Sequence, residues 1–371
     1  MPVLRPVLTA VLAAGALVLT AAAPAQAAGG HDAPVTVASG LDNPRGLAFG
    51  PDGALYVAEA GRGGSGPCQP GPEGGEVCFG RSAAITRIAY GHQRRIVSNL
   101  PSLASPEGTQ AIGASDVSFD RRGRLYFTVG LGADPAVRTR VPQLAGMAKL
   151  YRVKRHGPRP VADIGGFEAR VNPDGVQPPD TNPNAVLATG RFELVADAGG
   201  NSLVKVDSRG RISTVATFPS RTVPAPAIPG GPPPGTPIPM QAVPTSVVRG
   251  PDGAFYVGEL TGFPFLPGQA RVWRVQPGHA PTVYATGFTN IIDLAFGPDH
   301  KLYVLEIAKN GLLSGDQTGA LLRASRHGAP TEVLSTGLTA PGGLAIRGHS
   351  AFIANCSVCA GTGSVLRVRL H

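Results

Sequence analysis

Leu47-Ala48-Phe49-Gly50-Pro51-Asp52-Gly53-Ala54-Leu55-Tyr56-Val57-Ala58-Glu59 decides the fold, because the chain repeats it. Val247 to Glu259 and Leu294 to Glu306 are close copies, and Val117 to Phe127 is a fourth. Val186 to Asp197 and Leu344 to Asn355 are weaker fifth and sixth copies. Each copy joins two short apolar segments through a Pro-Asp-Gly-type turn, which is a β-hairpin signal. A third strand follows each hairpin and carries one basic residue at the same place: Arg87, Arg152, Lys205, Arg274, Arg323 and Arg367. A fourth strand usually comes next, as in Arg95-Ile96-Val97 and Thr282-Val283-Tyr284. Four antiparallel strands repeated six times predict an all-β chain, a six-bladed β-propeller. The sixth unit stops after its third strand, at Leu370-His371. Pro34 to Ala38 is expected to supply the missing strand and close the ring, which removes the exposed edges of an open sheet.

Composition agrees. Gly 51 and Pro 37 make up about a quarter of the 371 residues, and charged residues are 15%. That excludes a helical bundle or a coiled coil. A hydrophobic content of 42% is enough for a core, which argues against disorder. The formal net charge is +9, but the basic residues are scattered, with no run interleaved by aromatics. Nucleic acid is therefore not an expected partner.

The first segment reads as a leader. Arg5 is followed by the apolar run Val7 to Ala23 and by Ala25-Gln26-Ala27, a small-x-small cleavage site. Residues 1–27 are thus read as a signal peptide and 28–371 as a single propeller domain. No later stretch is apolar and long enough to span a bilayer, so the expected location is extracellular. Outside the cytoplasm, four cysteines suggest disulfides. Cys68 and Cys78 share one Gly/Pro-rich loop, and Cys356 and Cys359 form a CxxC after a strand. Pairing within each couple is the simplest of three possible connectivities. The strand before the CxxC argues against redox catalysis, which needs a helix N-terminus.

In a propeller, the first-to-second and third-to-fourth strand turns lie on one face. The second-to-third turns and the blade-to-blade links lie on the other. The long segments 60–82, 129–147, 161–184, 219–243, 260–269 and 307–319 all fall in the second class. Function is expected on that loop-bearing face. Glu59, Asp197, Glu259, Glu306 and Asn355 share one repeat position there, at the end of the second strand, and only Val129 departs. Nearest the axis the register places Gly46, Asp116, Ala185, Ser246, Asp293 and Gly343, so that Asp116 and Asp293 are inner carboxylates. Asn182 and Asn290 flank them. Hard oxygen donors converging on an axis suit one divalent cation, Ca, Mg or Mn. The other reading of the same residues is that they fasten loops. His92, His156, His279 and His327 fall in third-to-fourth turns, and His300 and His349 in first-to-second turns, away from the mouth. A histidine-based triad or zinc site there is not expected. Gly61 to Gly66 matches GxGxxG, but Pro67-Cys68-Gln69-Pro70 follows in place of the helix that motif requires.

The run Val243-Pro244-Thr245-Ser246-Val247-Val248 and then Gly250 to Phe265 resembles the exported ScyD/ScyE-like propeller family. Gly40 to Leu47 and Val195 to Asn201 are similar to it as well. The resemblance covers essentially the whole mature chain and implies export and a six-bladed propeller. A wider resemblance is to NHL-type and gluconolactonase-like (SMP-30-type) propellers. The latter hold one divalent cation on the axis and open lactones, which by position implies such roles for Glu59, Asn182 and Asp293. Two functions are expected. The first is a secreted scaffold that binds a small molecule, a polymer or a protein on the loop face. The second is a metal-dependent hydrolase of a lactone or small polar substrate, with Asp293 as base.

Overall fold

The computed structural model describes residues 33–370 apart from 72, 73 and 327. The leader read over residues 1–27, together with His327 and His371, lies outside the described residues.

The repeated turn shows why each copy folds as a hairpin. Gly50 N–H donates to Ala54 O at 2.8 Å, and Gly53 N–H donates to Gly50 O at 2.9 Å. Asp52 Oδ1 accepts the Ala54 N–H at 3.2 Å. Gly53 has φ +76°, a left-handed conformation that glycine adopts without a Cβ penalty. Blade 4 repeats the arrangement at Gly250 to Ala254. In blade 5, His300 takes the glycine position and is forced to φ +59°.

These hairpins grow into six sheets. Blade 1 holds Pro44–Phe49, Leu55–Glu59, Glu76–Ala89 and His92–Ala104, with the short strand Cys68–Pro70 added to it. Blade 2 holds Ala114–Phe119, Leu125–Val129, Lys149–Lys154 and Gly157–Asp163. Blade 3 holds Pro183–Ala188, Phe192–Asp197, Ser202–Asp207 and Ile212–Thr217. Blade 4 holds Pro244–Arg249, Phe255–Glu259, Ala270–Val275 and Thr282–Phe288. Blade 5 holds Ile291–Phe296, Leu302–Glu306, Ala320–Arg323 and Thr331–Leu334. Blade 6 holds Gly343–Arg347, Ser350–Asn355 and Gly363–Arg369. Its fourth strand is Val35–Leu41, paired from Val35↔Arg367 to Leu41↔Gly363. The first strand of each blade touches that of the next, and the sixth touches the first. The protein is a closed six-bladed β-propeller, as the repeats predict.

The core lies between blades. The second strands Leu55–Glu59, Leu125–Val129, Phe255–Glu259 and Leu302–Glu306 are buried at every position, because each sheet is covered on both faces. Separate apolar clusters fill the successive interfaces: Tyr56 with Phe127, Tyr126 with Val195, Leu194 with Val257, and Tyr256 with Val304. Leu305 with Ile353 and Val57 with Val365 complete the circuit. Fully burying one such side chain contributes about 1.5–3 kcal/mol. The third-strand basic residues face an aromatic of the second strand in four of the first five blades: Arg87↔Tyr56, Arg152↔Tyr126, Arg274↔Tyr256 and Arg323↔Tyr303.

Some long loops hold structure that the sequence reading leaves out. Segment 161–184 contains a helix, Ile164–Val171, capped by Asp163, whose Oδ1 accepts the Gly166 N–H at 3.0 Å. Segment 219–243 contains a hairpin of Arg221–Pro224 and Pro237–Met240. Cys68 is bonded to Cys78 and Cys356 to Cys359, the simplest of the connectivities. Among the described residues, no helix is long and apolar enough to cross a membrane.

Candidate functional site

One backbone bond recurs round the loop-bearing face. The residue after each second strand donates its N–H to a carbonyl of the preceding link: Ala60 to Asn43, Gly130 to Gly113, Ala198 to Asn182, Leu260 to Val243, Ile307 to Asn290 and Cys356 to Thr339. The strand-end side chains reinforce this bond. Glu59 Oε2 accepts the Asp42 N–H at 2.8 Å. Asp197 Oδ1 accepts the Asn182 N–H at 2.6 Å, and Glu306 Oε1 accepts the Thr289 N–H at 2.6 Å. Asn355 Oδ1 accepts the Thr339 N–H at 2.8 Å. Glu259 takes a different partner. Its Oε1 receives Arg221 Nη2 at 2.7 Å, from the Pro-rich hairpin, and its Oε2 receives Arg271 Nε at 3.1 Å and Trp273 Nε1 at 2.7 Å. Glu59 is likewise engaged, by Arg95 Nε at 3.0 Å and Nη2 at 2.7 Å and by the Thr86 hydroxyl.

The two inner carboxylates occupy opposite blades. Asp116 Oδ1 accepts the Val117 N–H at 2.7 Å, and its Oδ2 accepts the Val186 N–H of blade 3 at 2.8 Å. Asp293 repeats this with Leu294 N–H at 2.7 Å and Leu344 N–H of blade 6 at 2.7 Å. Each therefore ties its inner strand to that of the next blade. A Cβ on Gly46 would lie 2.1 Å from Asp116 Oδ1, so blade 1 has no room for a side chain at that register position. Burial, and then the nearby charge of Asp293, raise the Asp116 carboxyl well above its ordinary range. Burial pushes Asp293 up to about 7. Burial also raises Glu306 to about 7 and Asp197 to about 6.

Two members of the set Glu59, Asn182 and Asp293 implied by the gluconolactonase-like resemblance are engaged by protein donors. Glu59 faces Arg95, and Asn182 Oδ1 accepts the Leu131 N–H at 3.2 Å. Among the described residues, only Cys68, Glu76 and Cys78 bring three acid, His or Cys ligand atoms within 4.8 Å of one another, and those sulfurs form the disulfide.

Three features of this face go beyond the sequence reading, in which Asn290 only flanks the inner carboxylates. Asn290, at φ +47°, is a strut between two loops. It donates Nδ2 to Leu260 O at 2.9 Å and accepts the Leu312 N–H at 3.0 Å. A Cβ on Gly311 would lie 3.2 Å from Phe265 O, so the 260–269 and 307–319 loops touch. They expose Phe263 (38%), Leu312 (37%) and Leu313 (50%). Second, Glu168 on the unforeseen helix is 1% exposed, and its Oε1 has no hydrogen-bond partner. Burial, then the charges of Asp197, Asp174 and Asp180, push it up to about 8. Third, Asn201 ties links together through Asp174 Oδ2 at 2.8 Å, Gln241 Oε1 at 3.1 Å and the Val243 N–H at 3.0 Å. A helix begun by Ile-Gly-Gly carries little sequence signal for Glu168. The motif Gly262-Phe263-Pro264-Phe265 was legible, but not its neighbour across the blade boundary. His92, His156, His279, His300 and His349 lie in or beside the turns of the opposite face.

No protein-family model matches the chain, and no curated protein matches it. Solved structures share the fold. The PQQ-bound aldose sugar dehydrogenase of Streptomyces coelicolor superposes with a TM-score of 0.53 at 13% identity, over 90% of this chain and 96% of that one. A structural-genomics protein of unknown function from Bacteroides thetaiotaomicron gives 0.52 at 10% identity, over 92% and 72%. Virginiamycin B lyase from Staphylococcus aureus gives 0.48 at 12% identity, over 89% and 96%.

Proposed function

We propose that the chain is an exported ScyD/ScyE-like propeller that binds an apolar or aromatic ligand on its loop-bearing face. The observation that carries this reading is that Phe263, Leu312 and Leu313 are exposed on two touching loops. Exposed apolar side chains gathered in one place mark interaction sites more often than they occur by chance. This pair of loops is also preorganised. Asn290 bonds both loops, and Phe263 and Phe265 meet edge to face at 6.4 Å. A fixed surface loses little entropy on binding. The strand-end carboxylates support the same view, since Glu59, Asp197 and Glu306 each accept a link N–H and so fasten loops. Two disulfides suit an oxidising compartment, which supports export.

The test is a thermal-shift panel of alkyl and aryl glycosides, fatty acids and apolar peptides. It compares the wild-type protein with Phe263→Ser/Leu313→Ser, two substitutions of exposed residues. A ligand should raise the wild-type melting temperature by mass action, and its Kd should weaken at least ~10-fold in the variant, a change of about 1.4 kcal/mol. A panel in which no compound distinguishes the two proteins would sink the reading.

A second reading rests on Asp116 and Asp293. Each accepts two backbone N–H bonds, and a carboxylate offers about four lone-pair sites, so each keeps capacity for a divalent cation. Elemental analysis of protein purified without chelator, beside Asp293→Asn, separates the readings. About one Ca, Mg or Mn per chain, lost in the variant, supports a cation here and a screen for lactone hydrolysis. Metal-free wild-type protein removes it.

A further inference from the structure

The opposite face carries a second feature, at the boundary of blades 2 and 3. In blade 1, Asp52 in the first turn accepts the Tyr56 hydroxyl at 3.1 Å and pairs with Arg87 of the third strand at 2.7 Å. Blade 4 repeats this with Asp252, Tyr256 at 3.1 Å and Arg274 at 2.8 Å. Blade 2 keeps the tyrosine and the arginine in register, Tyr126↔Arg152. The residue at the turn-aspartate position, however, is Arg122. Arg152 thus lacks the turn acid that pairs with its counterparts, and the acid that acts on it is the buried Glu193 of blade 3.

The same boundary gathers further positive charge. A cleft of about 260 Å³ is lined by Arg124, Arg152 and Lys154 from blade 2 and by Arg191 and Arg209 from blade 3. Two acids share its lining, Glu193 and Asp207. Asp207 is committed to its own turn, accepting the Arg209 and Arg211 N–H groups and the Arg211 guanidinium. Glu193 is 6% exposed, and burial raises its carboxyl against the opposing charges of Arg124 and Arg152. Arg124 is paired with Asp120. Among the described residues, Arg152, Lys154, Arg191 and Arg209 form no ion pair. The half-buried Arg152 is thus surmounted by a rim of three exposed cations. By contrast, the cleft between blades 6 and 1 is occupied by Arg347, which donates to Gly53 O at 2.6 Å beside Asp52.

We propose that the blade 2–3 cleft binds a tetrahedral oxyanion, the phosphate or sulfate group of a larger ligand. Guanidinium forks match the paired oxygens of such groups. A concave site with an excess of one sign, here five cations against two acids, also concentrates counter-ions beyond what net charge alone does. Water occupies about 30 Å³ in the liquid, so the cleft has room for one oxyanion and part of what bears it. The substitution of Arg122 for the turn aspartate is what separates this boundary from those at blades 1 and 4.

Isothermal titration with inorganic phosphate, pyrophosphate and sulfate at low salt tests the site. Pyrophosphate or sulfate should bind the wild-type protein. Arg191→Gln/Arg209→Gln, both on the exposed rim, should weaken binding at least ~10-fold, and so should Arg152→Gln. The distant pair Arg94→Gln/Arg249→Gln removes the same charge and should change Kd by less than about twofold. Preference for pyrophosphate assigns a phosphorylated ligand, and preference for sulfate a sulfated one. Absence of binding to all three anions overturns the proposal. So does equal weakening in the distant pair, or full binding in the rim variant.

Discussion

Glu59 has no exposed surface, and the donors it meets come from three different segments. Asp42 donates from the link, Thr86 from the third strand and Arg95 from the fourth. A buried carboxylate with its partners intact contributes little net stability, but one stripped of its cation is costly. Arg95→Gln should therefore destabilise by about 3 kcal/mol, the low end for such pairs because Arg95 is 41% exposed. Glu59→Gln/Arg95→Gln should recover at least half of that loss. Urea titrations of both variants measure it, and a double variant no more stable than Arg95→Gln would contradict the account. The repeat made the strand-end position legible, since Glu59, Asp197, Glu259, Glu306 and Asn355 fall in register. The partners were not legible. Arg95 lies 36 residues after Glu59, and Arg221 lies 38 before Glu259, both outside the repeated motif.

Among the elements, the strand Val35–Leu41 has the largest consequence for its length. It covers the edge of Gly363–Arg369, and Leu41 is 1% exposed in the cluster between blades 6 and 1. Removing residues 33–41 after the leader should leave an unpaired strand edge, which is a template for association. Size-exclusion chromatography should then show oligomers or aggregate in place of the wild-type profile. Leu41→Ala alone should keep that profile and cost about 2–4 kcal/mol. An unaltered profile for the shortened chain would mean that closure does not depend on this strand. The strand was readable because the sixth repeat ends one strand short. The hairpin Arg221–Pro224 with Pro237–Met240 was not, because prolines weaken any strand reading. It forms here as a separate two-stranded ribbon outside the blades. The helix Ile164–Val171 was hidden in the same way by Gly165 and Gly166, which lower helix propensity.

The ring brings acids from separate blades into shared surroundings, and that sets the pH response of the whole molecule. Burial raises Glu168 to about 8, Asp293 and Glu306 to about 7 and Asp197 to about 6, and it raises Asp116 as well. Unfolded carboxyls titrate near 4. Between about pH 4 and 8 the folded protein thus holds more protons than the unfolded chain, so stability falls as pH rises through that window. The turn acids act in the opposite sense. Hydrogen bonds, chiefly to arginines and backbone N–H groups, hold Asp52, Asp120, Asp207 and Asp252 below the usual range despite what burial they have. Their contribution is lost as pH drops below about 4. Calorimetry from pH 3 to 9 in metal-free buffer should therefore find the highest melting temperature near pH 4–5 and a decline towards pH 8. Glu168→Gln should flatten the upper part of that decline, since it removes a group raised to about 8. A melting temperature that climbs from pH 5 to 8 would mean that the mouth acids are ionised in the folded protein. It would also show that something other than a proton compensates their charge.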